Sequence, residues 1–421
     1  MKSFSLYSIS IAIATLAYGL FIFSYPPSYF NDDSLFLANG ILNFSIIDFS
    51  PQFPGYPSVI ILGKTLNYFI DNHKYSLFIL SAGAGILLPL MLFLYVKAIK
   101  NEKVAFFTFL LSISSVYLLN ISLSMLSESV GLFFFFLSLY LLEIKKHNLS
   151  GVFLAIAFFA RPSYFVLYLA GLVYLYFYKK DSIKDVLIPF IFTTILFLIF
   201  IYLSNGMLYF YEAKRFIIGH FSIWGTGQHS EISWLSRIFI IENLPFIFLI
   251  FFFKTFFLKH KEEYLLLYIL FLSYLLWILL AQNPDNIRHL VPLIFIATIF
   301  LATLLKNQKI LLSLLICFNL AYTLSSKAKL SPIEQIISKI KTTDRIIFSN
   351  RSINILKNNL NTTVFDNYYV DSSTYYKEHS KYYEITSKKP TKVMYKTFKG
   401  RFLGEDNYYL ILPYSNKFLF K

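Results

Sequence analysis

The chain has 421 residues, of which 57% are hydrophobic, 20% aromatic and only 14% charged, with a mean hydropathy of +0.59. A soluble domain cannot bury that much apolar surface, so the composition indicates a polytopic membrane protein. The formal net charge of +15 sits in short clusters between apolar runs and in a polar tail, which argues against nucleic acid as a partner, and the single cysteine, Cys317, excludes an intrachain disulfide or a cysteine-built zinc site.

Apolar runs of spanning length fall near 3–24, 76–96, 104–123, 129–144, 186–204, 238–258, 264–281, 290–305 and 309–325. The stretch 149–178 is broken at Arg161-Pro162 and reads as two helices around that turn, giving an expectation of eleven transmembrane helices. No small-residue cleavage site precedes a soluble domain, so the first run reads as a retained helix and not as a signal peptide. With the amino terminus cytoplasmic, fourteen lysines lie on the inner side, while the longer outer connections hold only Lys64, Lys74, Arg161, Lys214, Arg215, Arg237 and Arg288. This bias places the carboxyl terminus outside. The expected division is a transmembrane domain over 1–325 and an extracytoplasmic (periplasmic) α/β domain over 326–421, in a bacterial inner membrane.

Two outer loops stand out, 25–75 and 205–237. In the first, residues 34–44 and "SVIILGKTLNYFI" (58–70) are too short to span and read as interfacial helices, with Tyr68 and Phe69 at headgroup depth. The small-residue run "SAGAGILL" (81–88) predicts close helix packing. In the tail, "SPIEQIISKIK" (331–341) has helical spacing, and "RIIFSN", "TTVFDNYYV", "KVMYKTF" and "YYLILPY" read as strands. The tail is basic, 17 Lys and Arg against eight acids, which suits contact with anionic membrane lipids.

The paired acids in "FNDDSLFLANG" (30–40) have two readings. Asn31 can cap a helix whose first turn holds Asp32 and Asp33, where carboxylates interact well with the helix dipole. The same dipole keeps a carboxylate ionised, ready to accept a proton or hold a cation. Glu128, in the serine-rich "SMLSESVGL", reads as a helix-start acid. Arg288 and Arg161 read as interfacial or turn anchors. The second outer loop adds Lys214, Arg215, His220, His229 and Glu231, and its glycines predict a mobile segment able to close over a substrate. The spacing of its histidines and Glu231 matches no compact zinc motif, and no metal is assigned, although a divalent cation is compatible with the acids. Tyr56 and His220 are the candidate substrate-binding side chains, rings with a polar edge in the expected outer loops. No nucleotide-binding glycine motif is present.

In order along the chain, "NDDSLFLANGIL", "FPGYPSVIILGK", "LSMLSESVGLFFFFLSLYLL", "LSGVFLAIAFFARPSYFVLYLAGLVYLY" and "NIRHLVPLIFIAT" resemble the GT-C superfamily of membrane glycosyltransferases, over most of residues 1–305. Asp32, Asp33, Phe36 and Ala38 fit the acidic-pair spacing of members similar to protein mannosyltransferases and lipid A aminoarabinose transferases, with phenylalanine where tyrosine is common. The resemblance implies an inverting transfer from a polyprenyl-phosphate-linked sugar donor to a lipid, glycan or protein acceptor on the outer membrane face. It implies Asp32 as the base, Asp33 as its neighbour, Glu128 as a supporting acid, and Arg288 near the donor phosphate, with Arg161, Lys214 and Arg215 as further phosphate ligands. The lysine-proline pair that follows the acids in some members is absent, as is the Trp-Trp-Asp signature of oligosaccharyltransferases. A flippase or transporter would place charge at mid-membrane. An O-antigen polymerase or ligase would place arginines on a large late outer loop. Here the acids cluster in the first loop.

Overall fold

Short polar side chains open several of the apolar helices. Asn72 accepts from the Tyr75 N–H at 3.0 Å, Asn101 from the Val104 N–H at 3.0 Å and Ser115 from the Tyr117 N–H at 3.3 Å, each satisfying a donor that the first helical turn leaves without a partner. The computed structural model describes residues 6–224, 232–243, 247, 264–325, 328–367, 382–391 and 393–411. Its helices up to the second outer loop are α1 (Leu6–Phe23), α2 (Asp32–Leu42), α3 (Pro57–Ile70), α4 (His73–Ile99), α5 (Glu102–Ile113), α6 (Val116–Leu123), α7 (Glu128–Glu143), α8 (His147–Ala160), α9 (Phe165–Tyr178) and α10 (Lys180–Asn205). Then come α11 (Leu208–Trp224), α12 (Trp234–Ile238), α13 (Leu265–Ala281), α14 (Val291–Leu304) and α15 (Lys309–Leu324).

Among the described residues, four helical stretches are long and apolar enough to cross a membrane: α1, α4, α10 and Ile287–Leu304. Two bent pairs raise the number to six, α5 with α6 at 61° and α8 with Pro162–Tyr178 at 118°. The chain is therefore a mostly helical protein of membrane character, but the described residues do not reach the eleven spans expected. The run 104–123 is interrupted because Ser115 caps a new helix after the Ser114 hydroxyl bonds back to Leu111 O at 3.1 Å. The run 129–144 forms a helix of only 16 residues, and α13 and α15 are also shorter than a full span. Most of the expected span 238–258 lies outside the described residues. The break at Arg161-Pro162 falls where the sequence places it, since a residue before proline is driven out of the helical region and Arg161 sits at φ −141°.

The two short helices expected within 25–75 form as α2 and α3, and the small-residue run packs closely, with Ser81 Oγ donating to Ile121 O at 3.0 Å. The segment 205–237, expected as a loop, is partly helical. Residues 208–224 form α11, because its aromatic side finds partners: Tyr209 and Phe216 lie 5.4 and 5.2 Å from the Phe53 ring, and the Tyr209 hydroxyl donates to Pro54 O at 3.2 Å. His229 and Glu231 lie outside the described residues.

The tail begins with α16 (Pro332–Ile340), which buries Ile333, Ile336, Ile337 and Ile340 on one face, as its spacing requires. Strands β1 (Ile346–Ser349), β2 (Val364–Asp366), β3 (Tyr382–Thr386), β4 (Tyr395–Phe398) and β5 (Tyr408–Ile411) form one sheet in the order β2-β1-β3-β5-β4. β1 runs parallel to β2 and β3, with Ile347 opposite Val364 and Tyr383; β5 pairs antiparallel with β3 and β4. Strand β3 and the short helix α17 (Ile353–Asn359) are additions to the expected elements.

The tail docks on the first loop. Ser28 Oγ donates to Ser331 Oγ at 2.9 Å and accepts from the Ser331 N–H at 2.8 Å. Glu334 accepts from the Tyr29 N–H at 2.9 Å and from Lys74 Nζ at 2.8 Å. Residues 28–34 are thus threaded between the helical domain and the tail.

Candidate active site between the first loop and the late span

Asn31 and Ser34 form the capping box that starts α2: the Ser34 N–H donates to Asn31 Oδ1 at 3.3 Å and the Asn31 N–H donates to Ser34 Oγ at 3.2 Å. The acids that follow point to different partners. Asp32 turns to the tail, accepting at Oδ2 from the Asn354 N–H and Nδ2, both at 3.2 Å, and at Oδ1 from the Ile355 N–H at 3.0 Å. Ser352, at the start of α17, is left-handed (φ 54°) and makes no side-chain cap, so Asp32 caps that helix from another part of the chain. Burial pushes the Asp32 carboxyl above the ordinary aspartate range, against the pull of those three donors and with a further upward push from Asp33. Removing the cap with Asp32→Ala is expected to loosen α17 by about 1 kcal/mol. Trypsin cleavage at Lys357 in the full-length protein measures this, and an unchanged rate would contradict it.

Asp33 turns the other way. Its Oδ1 accepts from Gln52 Nε2 at 2.8 Å, and its Oδ2 lies 3.4 Å from both Asn31 Nδ2 and Arg288 Nη2. Arg288 reaches onward to Glu128, with Nε 3.2 Å from Oε1, and the same carboxylate oxygen lies 2.9 Å from Arg161 Nη2. Four charged groups thus run Asp33, Arg288, Glu128, Arg161, from a side chain 37% exposed to ones 12%, 1% and 7% exposed. The inner contacts are ion pairs by distance, but neither oxygen of Glu128 accepts a well-aligned hydrogen bond, and Arg288 Nε and Nη1 and Arg161 Nε are also without one. Gln52 Oε1 and His289 Nδ1, both beside the chain of charges in sequence or space, share that condition. Buried polar atoms usually find a partner, so a cluster of unmatched ones suits a polar group brought in from outside.

Each side chain is placed by a recognisable local device. Arg161 lies at the α8 break, where its Nη1 donates to Ser127 Oγ at 3.2 Å and its guanidinium lies 5.9 Å from the Tyr56 ring centre and 5.6 Å from that of Tyr164. It fits against α7 because residue 131 is glycine: a Cβ there would stand 2.7 Å from Arg161 Cβ. Glu128 opens α7, where its charge also faces the helix amino end. Arg288 sits in a short 3-10 turn, Ile287–Leu290, that feeds α14, and its guanidinium lies 5.8 Å from the Phe30 ring centre.

Other sequence candidates fall outside this cluster. Lys214 is exposed on α11, and Arg215 pairs with Glu212 on the same helix at 2.7 Å, so neither contacts the four charges. His220 Nε2 lies 2.9 Å from Ala281 O and serves to pin α11 against the end of α13. Tyr56 borders the site as the partner of Arg161. The contributions of Gln52, Phe30 and Tyr164 had no signal in the sequence, since none belongs to a charged motif; His289 was signalled only by its place beside Arg288. Among the described residues no group of three His, Cys, Asp or Glu is placed to hold a metal ion. An apolar groove of about 610 Å³ between α1 and α4, lined by residues such as Ile11, Leu16, Ile86 and Phe93, is separate from the charged cluster. No protein-family model matches the sequence, and no curated protein matches it either.

Proposed function

We propose that this chain is an inverting GT-C-type glycosyltransferase, taking a sugar from a polyprenyl-phosphate-linked donor on the outer membrane face, with Asp33 as the proton acceptor. The observation that carries the reading is the position of Arg288 between Asp33 and Glu128, with Nη1 still unengaged. An acceptor hydroxyl or amine gives its proton to the Asp33 carboxylate as its lone pair bonds to the anomeric carbon. The bond from that carbon to the phosphate oxygen breaks, and the electron pair leaves with the phosphate, whose charge Arg288 meets. In the resting protein Asp33 and Arg288 neutralise one another; a donor phosphate at the guanidinium releases the carboxylate for its task. Asp32, placed by its bonds to α17, is a positioning residue in this scheme and not the base that the family resemblance implies. The charged groups stand at helix starts and breaks and not at mid-span, which supports surface chemistry over transport.

The test uses membranes containing the full-length protein and radiolabelled polyprenyl-phosphate-linked sugars. Asp33→Asn is expected to lower sugar release from the carrier by about 10²–10⁴-fold, and Asp32→Asn by less. Wild-type turnover in Asp33→Asn removes the base. Movement of the intact lipid-linked sugar across vesicles, with no cleavage in either protein, replaces the enzyme by a transporter.

A further inference from the structure

We infer that the tail loop Gly400–Glu405 positions the two halves of the charged site, with Phe402 and Gly404 as the positioning residues. The inference deepens the reading above, because the site it positions is the Asp33–Arg288 pair, 255 residues apart in sequence. The loop is rigid by construction. Arg401, 1% exposed, donates from Nε and Nη2 to the Glu405 carboxylate at 2.7–3.1 Å, and its backbone N–H donates to the same carboxylate at 2.6 Å. The buried pair is closed on itself and hydrogen-bonded, so distorting the loop would strand a charge. Arg401 Nη1 also donates to Ser28 O at 3.2 Å, tying the loop to the first outer segment.

From this base the loop touches both partners' supports. The Phe402 ring stacks on Phe30 at 5.8 Å with an interplanar angle of 22°, and Phe30 is the ring on which the Arg288 guanidinium rests. Leu403 O accepts from Asn120 Nδ2 at 2.6 Å, which holds the loop against α6. Gly404 has φ +86°, and a Cβ built there would stand 2.4 Å from Cγ2 of Ile287, the residue before Arg288. Glycine therefore serves two ends at this position: it takes up a left-handed backbone, and it lets the tail press directly on the turn that carries Arg288. One short loop thus bears on residue 30, just ahead of the paired acids, and on residue 287, just ahead of the arginine. Its seating sets the distance between them.

The experiment is hydrogen exchange by mass spectrometry on the full-length protein in detergent, following peptides that cover 28–36 and 285–290, with one covering 147–160 as a distant reference. Phe402→Ala is expected to speed exchange at least about tenfold in both near peptides and not in the reference, the scale of the lost ring pair alone. Phe402→Tyr, which keeps the stack, is expected to restore protection in both. Unchanged exchange in either near peptide overturns the inference, as does a failure of Phe402→Tyr to restore it. If Phe402→Ala also opens the reference peptide, the milder Phe402→Leu, which removes the ring stack but keeps most of the apolar bulk, decides on the same criterion. These readouts need no substrate, so absence of sugar transfer by the wild-type protein would sink the proposed reaction while leaving this result to stand or fall alone.

Discussion

Glu128→Ala is expected to be the most destabilising single change in the cluster, at about 3–5 kcal/mol. Glu128 is 1% exposed and is the only carboxylate within ion-pair distance of Arg161 among the described residues, and it also serves Arg288. Its removal takes the shared carboxylate from two guanidinium groups in a space from which water is largely excluded, and a guanidinium cannot shed its charge there as a lysine would. The expected result is a fall in the apparent melting temperature of the detergent-solubilised protein far beyond that from Glu102→Ala, which breaks the more exposed Lys97 pair and is expected to cost at most about 1 kcal/mol. Equal, small shifts in the two variants would mean that Glu128 does not hold the arginines together.

Arg288→Lys is expected to separate binding chemistry from packing. The guanidinium spans Asp33 and Glu128 with different nitrogens, 3.4 and 3.2 Å away, and its third, Nη1, is buried without a hydrogen-bond partner. An ammonium group is a single point of charge and cannot meet both carboxylates and a phosphate in that geometry. In the proposed reaction, loss of a donor aimed at the developing phosphate charge lowers transfer by about 10²–10³-fold. Arg161→Lys is expected to act in the opposite proportion, costing more in melting temperature than in transfer, because Arg161 is enclosed by Glu128, Ser127, Tyr56 and Tyr164. The paired measurements are transfer rate and thermal stability of each variant. Identical profiles for the two lysine variants would erase the distinction between the outer and the inner arginine.

The acids illustrate what one sequence can and cannot carry. That "NDDS" starts a helix is a local matter: Asn31, two acids in the first turn and Ser34 satisfy the helix's own donors, and the capping box forms as that pattern demands. Which acid meets the arginine is not local. Adjacent residues on a helix point about 100° apart, so one faces α17 of the tail and the other faces Arg288, and nothing within the loop says which. The family resemblance implies Asp32 as the base; in the fold it is Asp33 that lies 3.4 Å from Arg288. Residues 208–224 make a related point: Phe53, far upstream, supplies the ring surface on which Tyr209 and Phe216 of α11 pack, a contact that no local pattern announces.

The sequence by itself determined the membrane character, the break at Arg161-Pro162, the short helices α2 and α3 and the polar sheet-bearing tail, because each follows from hydropathy, proline geometry or side-chain periodicity within a short window. Only the tertiary structure decided that Glu128 bridges two arginines, that Asp32 caps a tail helix and that the 400–405 loop abuts the turn of Arg288. Those pairings join residues tens to hundreds of positions apart, and their strength comes from shared burial, which no single segment of the chain possesses before it folds.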